Sequence, residues 1–82
     1  MQLLTILDAE DFSAWKKGFD DRMEERMRAG LTLMQMWHAD QKNRVVCLFE
    51  VNDRAKAEAW LSKVEAMEDG VSRPVHHFLR TV

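Results

Sequence analysis

Six side chains in this sequence have the chemistry to act on a ligand: His38, His76, His77, Glu50, Cys47 and Trp37. Histidine is the side chain that ordinarily titrates near neutral pH, so one facing a pocket would be the natural general acid or base. His76 and His77 are adjacent. On a strand they point to opposite faces and cannot chelate one metal as a pair. His38 with one of them could supply two ligands, but a third from Glu50 would depend on strand register. Structural or solvated histidines are therefore favoured over a metal site, and no cofactor is expected. Glu50 has two readings. It is either a strand-end residue paired with a nearby arginine or a part-buried base beside Trp37. The catalytic candidates are accordingly Glu50, His38 and His77, and the ligand-binding candidates are Trp37, Gln35 and Arg80. Arg73 and Arg80 could take a carboxylate ligand, with plain surface placement as the alternative. Cys47 lies among strand apolar residues and reads as a buried, inert thiol.

These residues must be positioned by the stretch Leu31–Val51, LTLMQMWHADQKNRVVCLFEV, which reads as two strands, Leu31–Ala39 and Val45–Val51, joined by a polar turn at Asp40–Arg44. One alternate set of the second strand is Val45, Cys47, Phe49 and Val51. The other is Val46, Leu48 and Glu50. Neither set is a polar face, whereas a sheet covered on one side should alternate apolar with polar. A chain of 82 residues is too short to cover both faces with its own helices, so a second subunit is expected. A symmetric turn sets Trp37 opposite Val46, Gln35 opposite Leu48 and Leu33 opposite Glu50. Gln35, Trp37 and Glu50 then share the face toward the partner or a pocket, while His38, Cys47 and Phe49 share the face under the helices. A slip of one residue would exchange them.

Before the hairpin, Met1–Leu7 reads as a strand. Asp11 is the expected N-cap of a helix from Phe12 to about Ala29, with Phe12, Trp15, Phe19, Met23 and Met27 as its apolar stripe and Gly30 just beyond its end. Asn52-Asp53 caps a second helix, Arg54–Glu68, buried through Ala57, Trp60, Leu61, Val64 and Met67 and closed by Gly70. Val71–Val82 is the last strand. Its Pro74 cannot donate to a ladder and belongs at an edge or a strand start. The chain is read as a single domain, residues 1–82. The order β-α-β-β-α-β predicts an α+β, ferredoxin-like sandwich: a four-stranded antiparallel sheet with strands one and three central and both helices on one face.

Composition bounds the partners. A net charge of −2 argues against nucleic acid and anionic membrane. A recognition sheet for RNA would also need exposed aromatics on central strands. A lone cysteine fits a reducing compartment. With no basic leader and no membrane-length apolar run, a cytoplasmic protein is expected.

The element order, the length and the apolar strands, with the segment WHADQKNRVVCLFEVND running into an alanine-rich helix, resemble the dimeric α/β-barrel superfamily of ferredoxin-like proteins. The resemblance covers the whole chain and is architectural. It implies two sheets packed face to face in a homodimer, with a pocket between sheet and helices or partner. Its members include small monooxygenases, haem-degrading enzymes and lactone isomerases. The Asn-Trp-His constellation of the haem-degrading branch is not matched, because the first strand offers Thr5 and no asparagine. The function expected is that of a cofactor-free monooxygenase- or isomerase-like enzyme acting on an apolar or aromatic small molecule. The alternative is a non-catalytic homodimeric module that binds a ligand or a protein.

Overall fold

The computed structural model describes residues 1–40, 43–65 and 74–82. Its elements are β1 (Gln2–Asp8), α1 (Phe12–Asp21), α2 (Met23–Arg28), β2 (Leu31–His38), β3 (Arg44–Val51), α3 (Arg54–Glu65) and β4 (Val75–Leu79). The strands form one open antiparallel sheet in the order β2-β3-β1-β4, so the first and third are central as expected.

The helices cover one face. Leu3, Thr5 and Leu7 of β1 and Val45, Cys47, Phe49 and Val51 of β3 are buried there, with Trp15, Phe19, Trp60 and Leu61 packed on that core. An aromatic row crosses it. His38 stacks on Phe12 at 4.1 Å between centroids, Trp15 lies 5.0 Å from Phe19, and Phe19 lies 6.3 Å from Phe49. The opposite face carries Leu4 across from Leu48 and Ile6 across from Val46, flanked by Trp37, Val75 and Leu79, each at least 41% exposed. Polar pairs close its two ends: Gln2 Nε2 donates to Glu50 Oε2 at 2.9 Å, and Arg44 Nε donates to Asp8 Oδ1 at 3.1 Å.

Local signals set the boundaries. Asp11 Oδ1 accepts from Ala14 N and Asp53 Oδ1 from Lys56 N, which satisfies otherwise orphaned amides of the first turns. Gly30 has φ +78°, and a Cβ there would meet Asp53 N at 3.0 Å, so both conformation and space favour glycine. Pro74 sits immediately before β4. The expected helical end and strand start at residues 66–70 and 71–73, including Met67, Gly70 and Arg73, lie outside the described residues.

Two expectations are corrected. The first helix is not continuous to Ala29 but breaks at Arg22. Arg26, 3% exposed, folds back so that Nη1 donates to Phe19 O at 2.8 Å, with its guanidinium 3.6 Å from the Phe19 ring centroid. Phe19 O also accepts from Arg22 N, a tight turn in place of the regular helical bond. Beyond the break Met23 and Met27 are 53% and 57% exposed, so they do not extend the buried stripe. The second correction is a register shift between Leu33 and Gln35. Trp37 opposes Val46 and Gln35 opposes Leu48, but Leu33 pairs with Phe49 and Thr32 with Glu50. The extra residue, Met34, returns Leu33 to the helix side.

Among the described residues no helix is long and apolar enough to cross a membrane.

Candidate functional site

Hydroxyl, imidazole and carboxylate meet at one point of the helix-covered face. Register places Thr5, in the middle of β1, beside His76 of β4 on one side and Cys47 of β3 on the other. Thr5 is 6% exposed and its Oγ1 lies 2.8 Å from His76 Nδ1. His76 Nε2 lies 2.7 Å from Oε1 of Glu65, the last residue of α3. An ionised carboxylate only accepts, so Nε2 must carry the proton. In the neutral ring Nδ1 is then an acceptor, and the Thr5 hydroxyl donates to it. If His76 gains a proton, Nδ1 becomes the donor and frees the Thr5 hydrogen for another acceptor. The arrangement orders hydroxyl, base and orienting carboxylate as in nucleophile-activating relays.

The relay borders a cavity of about 50 Å³ between sheet and helices. Leu7, Phe19, Phe49, Trp60 and Leu61 are among its apolar lining, and Thr5, His76 and Glu65 bring oxygen and nitrogen to it. Trp60 keeps its indole Nε1 buried and without a hydrogen-bond partner among the described residues. An unmet buried donor costs about 1–3 kcal/mol, and such groups are rare in native structures. Cys47 lines the same cavity, but burial pushes its thiol up to about 12, so it stays protonated and is a poor nucleophile.

The residues named as catalytic candidates, Glu50, His38 and His77, and as ligand-binding candidates, Trp37, Gln35 and Arg80, lie elsewhere and do not converge. Glu50, Gln35, Trp37 and His77 are on the open face, where Glu50 bonds Gln2 rather than an arginine. His38 is on the helix side, at the edge strand, stacked on Phe12. Arg80 is exposed beyond the end of β4. None of these candidates lines the cavity, whereas His76 and Cys47, also singled out from the sequence, do. As expected, His76 and His77 face opposite sides of the sheet. The reading of the sequence weighed His76 but did not name it a catalytic candidate, and it gave Thr5, Glu65 and Trp60 no role in a site. One signal was present: Thr5 is a lone hydroxyl inside the apolar run Leu3-Leu4-Thr5-Ile6-Leu7. No group of three potential metal ligands occurs among the described residues.

Among the described residues, fold and site together define a small α+β protein with an open four-stranded antiparallel sheet, three helices on one face and a polar relay at an apolar cavity beneath them. Residues 2–76 match the family described as Domain of unknown function (DUF3303), and the chain belongs to that family. No curated protein and no solved structure matches it.

Proposed function

We propose that this protein binds a small apolar molecule at the helix-side cavity and moves a proton there through Thr5, His76 and Glu65, on a ferredoxin-like scaffold paired sheet to sheet as a dimeric α/β barrel. The observation that carries this reading is the pair of short contacts, Thr5 to His76 at 2.8 Å and His76 to Glu65 at 2.7 Å, bordering an apolar cavity. Both imidazole nitrogens are engaged, so Thr5 is the member that meets the ligand. A ligand proton passes to Thr5 as the Thr5 proton passes to His76, and the imidazolium is held by Glu65. Return of the proton to a second ligand atom gives an isomerisation with no other reactant. That fits the isomerase-like reading better than the monooxygenase-like one, which would require dioxygen.

The open face supports the dimer reading: its apolar centre of Leu4, Ile6, Val46 and Leu48 lies between polar pairs, as the core and rim of an interface do. The cavity volume supports a second reading, the non-catalytic binding module. Benzene occupies an engineered cavity of about 150 Å³. A space of about 50 Å³ therefore admits only the tip of an aromatic molecule.

The test is deuterium exchange. Wild-type protein in D2O should accelerate α-proton exchange of small ketones, and His76→Gln should lower that rate roughly 100-fold. Equal rates with wild type, His76→Gln and buffer would remove the catalytic reading in favour of the binding module.

A further inference from the structure

We infer that Thr5 makes ligand choice at this cavity depend on the charge of His76, so that a hydrogen-bond acceptor is taken up together with a proton. The inference rests on the ligand-site reading above and adds the regulation of that site. It follows from counting the hydrogens of one hydroxyl. A threonine hydroxyl has one hydrogen to donate and two lone pairs that accept. Glu65 Oε1, 2.7 Å away, holds the proton of His76 Nε2, so it is Nδ1 that gains or lacks a proton. With Nδ1 bare, the Thr5 hydrogen is committed to it across 2.8 Å, and the hydroxyl has only lone pairs left for the cavity. With Nδ1 protonated, the ring donates to Oγ1 across the same contact, and the Thr5 hydrogen is released. The hydroxyl then changes from acceptor to donor with no movement of the chain.

The relay keeps the charge at its wet end and delivers the effect at its dry end. The Glu65 and His76 side chains are 34% and 18% exposed, whereas Thr5 is 6% exposed. An imidazolium at His76 is therefore partly solvated and paired with Glu65, as a charge withdrawn from water must be. Among the described residues, β1 brings Thr5 and Leu7 to the cavity and α1 brings Trp15 and Phe19, none of them charged. From β3 comes Cys47, whose thiol burial keeps protonated. From α3 the Arg54 guanidinium also faces β4, but it lies 4.4 Å over the ring of Phe78 and pairs with Glu58 at 2.8 Å. On β4 itself, His77 faces the other side of the sheet. His76 is the titrating group that Thr5 touches. A carbonyl oxygen, which only accepts, meets a donor when the ring is charged and lone pairs when it is neutral. By linkage, a ligand held better by the protonated ring also raises the pH at which that proton is lost.

The experiment titrates cyclopentanone and cyclopentene, two rings of similar shape that do not ionise, into the 13C,15N-labelled full chain on both sides of the His76 titration. Affinity is read from the Leu7 and Leu61 methyl signals. The His76 titration is read from its ring signals, assigned with His76→Gln. Cyclopentanone is expected to bind roughly two- to tenfold tighter with the ring protonated than neutral, and to raise the midpoint of the His76 titration. Cyclopentene, which has no oxygen, should do neither. Thr5→Val keeps the shape of the side chain without its hydroxyl, and should erase the pH dependence of cyclopentanone binding. Equal pH dependence for the two probes, a dependence that survives Thr5→Val, or a ring that does not titrate while the chain stays folded overturns the coupling. Each of these leaves the cavity standing as a ligand site. No perturbation of Leu7, Phe49 or Leu61 by either probe at any pH overturns both. The wild-type comparison of the two probes decides the matter even if Thr5→Val folds poorly.

Discussion

Leu48→Asp is expected to turn a dimer into a folded monomer, read as a halved mass in sedimentation equilibrium at micromolar concentration. Leu48 is central on the open face, across from Leu4 on one side and Gln35 on the other. A two-fold interface presents the same patch twice, so one substitution introduces two carboxylates into the apolar middle. An unpaired buried charge costs several kcal/mol, comparable with the whole free energy of a micromolar dimer, about 8 kcal/mol. In the monomer the same side chain faces away from the helix-covered core, so the fold survives and far-ultraviolet circular dichroism should be unchanged. Thr32→Asp, on the edge strand across from Glu50, tests the rim and should leave the dimer largely intact. A wild-type monomer would remove the barrel, and the apolar face would then call for a different protein partner.

Alkaline conditions should produce the second large effect. Cys47 is 1% exposed, and burial pushes its thiol from 9.0 to about 12, opposed only in part by the nearby Arg26 guanidinium. Below pH 9 the thiol is protonated whether the chain is folded or not, and the group does not bias folding. Between pH 9 and about 12 the unfolded chain releases this proton while the native state keeps it, so stability falls as pH rises, by about 1.4 kcal/mol per pH unit. Across the window this is an upper bound of about 4 kcal/mol, a large share of the 5–15 kcal/mol typical of a domain. Urea unfolding of wild type and Cys47→Val at pH 8 and pH 10.5 isolates the contribution. The two proteins should lose different amounts of stability on going to the higher pH, with the valine variant losing less. Equal losses would show that the thiol is not buried in the native state.

The scaffold was largely legible in the sequence, because local chemistry dictates it. Asp11, Gly30 and Pro74 mark ends through capping, positive φ and a missing donor, and the alternation in Val45–Val51 assigns Cys47 and Phe49 to the helices. Trp37 and Gln35 were placed correctly across from Val46 and Leu48 because the register was counted from the turn. Counting failed past Met34, where the bulge carries no glycine or proline to announce it. Met23 and Met27 kept a helical period beyond the break at Arg22, where the buried Arg26 folds back onto Phe19 O. The relay was invisible for a related reason. Thr5 and His76 are 71 positions apart and meet only when β4 pairs with β1, and Glu65 reaches His76 only when α3 lies over that edge. Trp60 had the spacing of a core residue, and nothing in the sequence shows that its N–H would lack a partner.

The polarity of the relay is the point on which the proton-transfer reading turns, and the ring nitrogen shifts of 15N-labelled His76 measure it. At a pH where the ring is neutral, the expected result is a protonated Nε2 and a bare Nδ1, with a slowly exchanging Thr5 hydroxyl proton. An Nδ1–H tautomer, or a ring that exchanges freely with solvent, would mean that Thr5 merely accepts a hydrogen bond. The relay would then have no hydroxyl able to pass a ligand's proton on to His76.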